Sequence, residues 1–200
     1  MANTNAPSGL TPSCYLNGSM WNGQARMYYI ASTDTHAYAI GDPVTLSGTG
    51  DSNGVPGITL ATAGSSDPIL GSVVGAGGLV YGGPGTNINN PNTTVIPGTK
   101  TTAYYVLVAD DPNILFEVQE GGAGPTLTAS SVTKNVNLLS GTNSGYLSGW
   151  QFDDASVNTT ATLQLRLMGL VQRSGNAFGS YARWLVKINQ HSYAPGTAGV

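Results

Sequence analysis

The sequence predicts an all-β fold, a sandwich or barrel of many short strands. Two observations carry this expectation. Apolar and polar residues alternate with a period of two in several segments, while helical periodicity is hard to find. Short runs of Gly, Pro, Asp and Asn, each a turn former, separate those segments. Many short strands between such turns are the pattern of a sandwich or barrel.

Taken in order, the expected strands are Arg26-Met-Tyr-Tyr-Ile-Ala, Val44-Thr-Leu, Gly57-Ile-Thr-Leu-Ala and Ile69-Leu-Gly-Ser-Val-Val. Tyr104-Tyr-Val-Leu-Val-Ala follows; it is aromatic and β-branched, and suits a strand buried on both faces. Ile114-Leu-Phe-Glu-Val-Gln is the next. Leu163, Leu165 and Leu167 alternate with Gln164 and Arg166, which reads as a half-buried strand with both polar residues outside. Trp184, Val186 and Ile188 alternate with Leu185, Lys187 and Asn189. Turns are expected at Gly41-Asp-Pro, Asp51-Ser-Asn-Gly, Asp67-Pro, Asp110-Asp-Pro-Asn, Gly121-Gly-Ala-Gly-Pro, Asp153-Asp and Ser174-Gly-Asn. One short helix is expected around Thr128–Asn137. No internal repeat is legible.

Residues 1–14 read as an extended N-terminal arm carrying Pro7 and Pro12, residues 15–191 as a single domain, and residues 192–200 as a loose C-terminal tail. Within the domain, residues 75–100 are rich in Gly, Asn, Pro and Thr and read as a long loop or projecting hairpin.

Composition narrows the function. Only 8% of the 200 residues are charged and 28 are glycine, against about 25% charge in an ordinary soluble domain. A surface made of neutral polar groups suits a chain that lies against other protein. Seven Lys and Arg spread along the chain do not supply the clustered cations that nucleic acid requires. No apolar run approaches a membrane span. Residues 1–10 have neither the basic region nor the apolar region of a signal peptide. Cys14 is the one cysteine, so no intrachain disulfide forms, which fits folding in a reducing compartment. Without a secretory signal, the sequons at Asn17, Asn92 and Asn158 carry little weight.

Signs of catalysis are sparse. His36 and His191 are far apart in sequence, and Cys14 reads as a small structural thiol. There is no Gly-x-Ser-x-Gly elbow and no His/Cys spacing for zinc. Gly98-Thr-Lys100-Thr lacks the order of a phosphate loop, and Gly75-Ala-Gly-Gly lacks the third glycine of a dinucleotide site. The pairs Asp110–Asp111 and Asp153–Asp154 could be glycosidase carboxylates, but neighbours in a strand point to opposite faces. Turn-forming is the simpler use, with calcium at Asp110-Asp-Pro-Asn a weaker one. The chain reads as a non-enzyme without metal or cofactor. Three tryptophans and ten tyrosines suit interface cores and sugar platforms alike; Trp184 reads as core and Trp21 as near-surface.

The stretch Met1-Ala-Asn-Thr-Asn-Ala-Pro-Ser-Gly-Leu-Thr-Pro, with Leu16-Asn-Gly-Ser-Met-Trp-Asn-Gly-Gln and Met27-Tyr-Tyr-Ile, resembles the tailed-bacteriophage capsid decoration, or cement, proteins. Val186-Lys-Ile-Asn-Gln-His-Ser-Tyr with Gly196-Thr-Ala-Gly-Val is similar to their endings, and Gly41-Asp-Pro-Val and Ile69-Leu-Gly-Ser-Val-Val-Gly fit the same pattern. The resemblance covers most of the chain as scattered short motifs. It implies a structural virion protein on the outer face of an HK97-fold phage head, assembled in the host cytoplasm, whose partners are the major capsid protein and itself. The expected core is jelly-roll-like and the expected oligomer a homotrimer, with a homodimer as the alternative. Pro7, Leu10, Tyr15, Trp21, His191 and Tyr193 are the expected partner-binding residues, the first four as anchors on or near the arm. The rival readings are a carbohydrate-binding, receptor-binding module of the virion and an enzyme using dispersed Asp and His.

Overall fold

The computed structural model describes residues 3–76, 95–194, 196 and 199. The fold is all-β, as the alternation predicts. Most of the expected 75–100 loop, the sequon at Asn92 and several residues of the 192–200 tail lie outside the described residues.

The sandwich-or-barrel alternative resolves into a closed barrel beside a six-stranded sheet. The barrel runs β2 (Arg26–Ile30), β5 (Pro56–Leu60), β4 (Pro43–Gly50), β6 (Gly71–Ala76) and β8 (Tyr104–Ala109) in ring order. The sheet has β1 (Thr11–Tyr15) on one edge, then β9 (Ile114–Gln119), β13 (Arg183–Ile188), β12 (Leu165–Leu170), β10 (Asn135–Leu139) and β11 (Gln151–Asn158). A small ribbon of β3 (Tyr38–Ala39) and β7 (Val95–Ile96) flanks the barrel.

The sheet curls until its far strand meets β9 again. A parallel bridge joins Glu120 to Phe152, and Gly121 N–H donates to Phe152 O at 2.9 Å. Strands β9 to β13 thereby repeat the ring order of the first barrel, first-third-second-fourth-fifth in chain order, with the first and third strands parallel. The registers match as well. Val73 pairs with Val108 and Gly75 with Leu107 across a bulge at Val74. Likewise Leu167 pairs with Val186 and Gly169 with Leu185 across a bulge at Met168. Val44 faces Gly71 as Val136 faces Leu165. The chain therefore contains a structural repeat where the sequence shows none, because pairing register persists while side chains diverge.

Each barrel has its own core. The first is filled by Tyr28, Ile30, Val44, Ile58, Val73, Val106 and Val108. The second is filled by Phe116, Val118, Leu138, Phe152, Leu165, Leu167, Trp184 and Val186. Trp184 is fully buried, as its alternating strand predicts.

Residues 3–10 are extended but lie against the chain's own body: Gln119 brackets them, donating to Thr4 O at 2.8 Å and accepting from Ala6 N at 3.0 Å. Asn3 reaches Ala177 O at 2.9 Å, and Arg183 binds both Ser8 Oγ and Ala6 O. The helix expected at Thr128–Asn137 is a single 3-10 turn, Ala129–Ser131, because Thr133 has a left-handed φ of 71° and Asn135 already begins β10. Gln164 does not face solvent. It is fully buried, with its amide donating to Thr62 O and Asp67 O and accepting from Gly64 N and Leu138 N. Asp153–Asp154 lies inside β11 rather than at a turn. In the tail, Gly199 is buried and donates to Thr159 O at 2.8 Å.

Candidate interaction surface

The connection from β1 to β2 begins with a tight hairpin. Tyr15 N–H donates to Ser19 O at 2.8 Å and Trp21 N–H to Ser13 O at 3.1 Å. Asn17 Oδ1 accepts from both the N–H and the hydroxyl of Ser19, and Gly18 supplies the φ of 89° that the turn needs. Leu16 N–H donates to Asn113 O at 2.8 Å, which fastens the hairpin to the β8–β9 turn. The local chemistry fixes the backbone and leaves two apolar side chains outside: Leu16 is 48% exposed and Met20 75%.

Beside this hairpin a cleft of about 780 Å³ opens, lined by Tyr15, Gln24, Arg26, Asp111, Asn113 and Tyr193. A hollow of about 560 Å³ that shares Tyr15, Asp111 and Asn113 with the cleft continues along Leu16 and Asn17. Tyr15 hydroxyl donates to Asn22 Oδ1 at 3.3 Å, and Trp21 Nε1 donates to Gln24 O at 3.2 Å. These bonds hold the aromatic wall in place.

Beneath the cleft sits a polar cluster. Tyr28 hydroxyl donates to Asp110 Oδ2 at 2.6 Å and lies 3.2 Å from the Tyr193 hydroxyl. Arg26 Nε lies 3.5 Å from the same Asp110 oxygen. Burial and the Asp110 carboxylate push the Tyr28 phenol far above its ordinary range. His191 is buried; its Nδ1 accepts from Tyr193 N–H at 3.0 Å, and burial lowers its pKa. A neutral imidazole therefore props the exposed Tyr193 backbone.

Of the residues singled out in the sequence, Tyr15 and Tyr193 line this one cleft, Trp21 stands beside it, and His191 supports it from below. Leu10 is elsewhere and fully buried, with its carbonyl accepting from Ser72 Oγ at 2.6 Å, so its side chain serves the second core. Pro7 is half-buried on the docked N-terminal segment. Leu16, Met20, Arg26 and Asn113 were not singled out. The Asn17-Gly18 turn flanked by Leu16 and Met20 was the available signal for the first two.

The carboxylate pairs have other duties. Asp110 is held by Tyr28 and Arg26, and Asp111 caps the turn by accepting from Asn113 N–H at 2.7 Å. Asp153 accepts from Ala155 N–H, while Asp154 is buried on the opposite face. Among the described residues no group of three or more His, Cys, Asp or Glu is placed to hold a metal ion. Among the described residues no helix is long and apolar enough to cross a membrane. The chain matches no protein-family model, no curated protein and no solved structure.

Proposed function

We propose that this chain is a structural virion protein that decorates the outside of an HK97-fold phage head and bridges its major capsid subunits. The observation that carries the reading is the Leu16–Met20 hairpin, which leaves the apolar side chains of Leu16 and Met20 exposed on a chain with 8% charge. Exposed apolar side chains beside aromatic residues are the makings of an interface core. Residues 3–10 are engaged by the chain's own body, so the proposed contact moves from the arm to this hairpin and the adjoining Tyr15–Tyr193 cleft. Clamping is multivalent: many weak contacts per shell must break together before the shell ruptures.

Co-sedimentation with shells stripped of this protein tests the reading. Wild type is expected to bind saturably at a fixed copy number, and the Leu16→Ser/Met20→Ser double variant to bind at least tenfold more weakly, as loss of two buried apolar anchors implies (~1.4 kcal/mol per factor of ten). Binding is expected to change little between low and moderate salt, because few charges are available to screen. Equal binding by the double variant, or loss of wild-type binding in moderate salt, refutes it.

A second reading, a carbohydrate-binding virion module, draws on the cleft itself. Tyr15 and Tyr193 offer stacking faces beside Asp111 and Asn113. A glycan-array hit abolished by Tyr193→Ala, with no binding to shells, selects it.

A further inference from the structure

The two barrels close differently. The register carries Tyr29 onto Gln119, since both pair at the same place with the fifth strand of their barrel. It also carries Thr59 onto Asp153. One residue further along each strand, Ile30 corresponds to Glu120 and Leu60 to Asp154. In the first barrel the closing seam thus carries two apolar side chains, Ile30 fully buried and Leu60 packed against both cores. In the second the same two places hold carboxyl groups, and these are 1% and 2% exposed.

Neither carboxyl is fully partnered. Glu120 Oε2 accepts from Trp184 Nε1 at 3.0 Å, and Asp154 Oδ2 accepts from Gly124 N–H at 2.9 Å. Glu120 Oε1 and Asp154 Oδ1 are buried with no hydrogen-bond partner. No Lys, Arg or His among the described residues pairs with either group. From β13 the Trp184 indole reaches Glu120, as does the Ala182 backbone just before that strand; from β11 it meets the charge of Asp154. The neighbouring Gln151 amide is committed to Glu120 O and Gln119 Oε1.

We propose that the seam of the second barrel is a proton-held latch: Glu120 keeps its proton so that it can sit beside Asp154, and losing that proton loosens the 120–124 and 152–154 contact while the first barrel stays closed. Two buried carboxylates without a cation repel and lose their hydration together. A single proton removes one charge and converts an orphan acceptor into a donor. Burial and the Asp154 charge raise the Glu120 pKa from 4.5 to about 7, so the loosening builds as pH rises from 4.5 and is complete just above neutrality.

Amide hydrogen exchange on the intact protein tests the latch. The reporters are Gly121 N–H, bonded to Phe152 O, and Gly124 N–H, bonded to Asp154 Oδ2. Corrected for intrinsic exchange, their protection is expected to fall by about tenfold for each pH unit between 4.5, the ordinary value, and about 7, and to level off above that. Amides of β2 and β5 should hold. Glu120→Gln is expected to keep its protection within about threefold from pH 4.5 to about 7. Glu120→Ile/Asp154→Leu, which installs the first barrel's pair, should do the same. Carboxyl carbon NMR of the wild type needs no variant and should show Glu120 titrating near neutrality. Constant wild-type protection, the same loss in Glu120→Gln, or a Glu120 carboxyl titrating in the ordinary range overturns the proposal.

Discussion

Replacing Gln164 with leucine tests how the two barrels are tied together. Leucine matches the volume, but removes four hydrogen bonds at once, to Thr62 O, Asp67 O, Gly64 N and Leu138 N. Three partners belong to the β5–β6 connection of the first barrel, and the fourth to β10 of the second. A buried hydrogen bond contributes about 1 kcal/mol net, and a stranded buried group costs about 1–3 kcal/mol. Water can reach the connection, where Thr62, Ser65 and Ser66 are exposed, but not the buried N–H of Leu138. Three losses of about 1 kcal/mol and one of about 2, offset by about 1 for the added apolar contact, give a destabilisation of about 4 kcal/mol. For a chain of this length that is a Tm drop of roughly 8–16 °C. Calorimetry with parallel urea unfolding reads it, and a second transition should separate as the barrels uncouple. A Gln164→Leu protein within about 1 kcal/mol of wild type would refute the reasoning.

Other outcomes follow from buried charge and close packing. Lys100 Nζ is buried and bound to Asp34 Oδ1 at 3.1 Å and to the carbonyls of Asp34 and His36, so Lys100→Met should cost about 3 kcal/mol in urea unfolding. Hydrogen bonds from His36, Tyr38 and Lys100 outweigh burial and hold the Asp34 pKa at about 2, below its ordinary 3.8. Its contribution is complete above pH 3.8 and lost as pH falls through 2, and an acid titration of Asp34→Asn should lack that limb. His191 has the opposite chemistry: burial lowers its pKa, so the unfolded chain takes up the extra proton first and stability falls as pH drops below about 6.5. Tm measured from pH 7.5 to 5.5 should decline less in His191→Asn. At Gly9, φ is 64° and a Cβ would overlap Gly41 O and Ser148 Oγ, so Gly9→Ala should cost about 3 kcal/mol. Gly18→Ala, with φ of 89° but open space around it, should cost only about 1 kcal/mol by the same denaturation.

Local pattern made the strands legible and left their partners obscure. β8 and β13 stand out because β-branched and aromatic residues repeat at the strand period. Gln164 defeats that logic: its polarity marks solvent in an alternating strand, and only the distant Thr62–Asp67 connection explains its burial. Thr128–Asn137 lacks a glycine or proline to announce the left-handed turn at Thr133. The duplication is hidden because Ile30 and Leu60 in one barrel answer to Glu120 and Asp154 in the other, and register leaves no trace in composition. At the surface, Tyr15, Trp21 and Tyr193 stood out as aromatics, yet nothing local brings residue 193 to residue 15. That convergence depends on the whole chain closing.

The N-terminal segment has a consequence for the order in which this chain can be made. Its strand β1 pairs with Ile114–Glu117, and Asn3 reaches Ala177. This segment therefore has no docking place until the second barrel is synthesised. The first barrel can close on its own strands meanwhile, whereas the second awaits its last strand, β13, which lies between β9 and β12. Domains assemble in order of synthesis, and long-range pairings come late. Throughout that interval an unpaired strand edge and an apolar hairpin hang free, so the nascent chain is most vulnerable to misassociation along β1 and the hairpin that follows it.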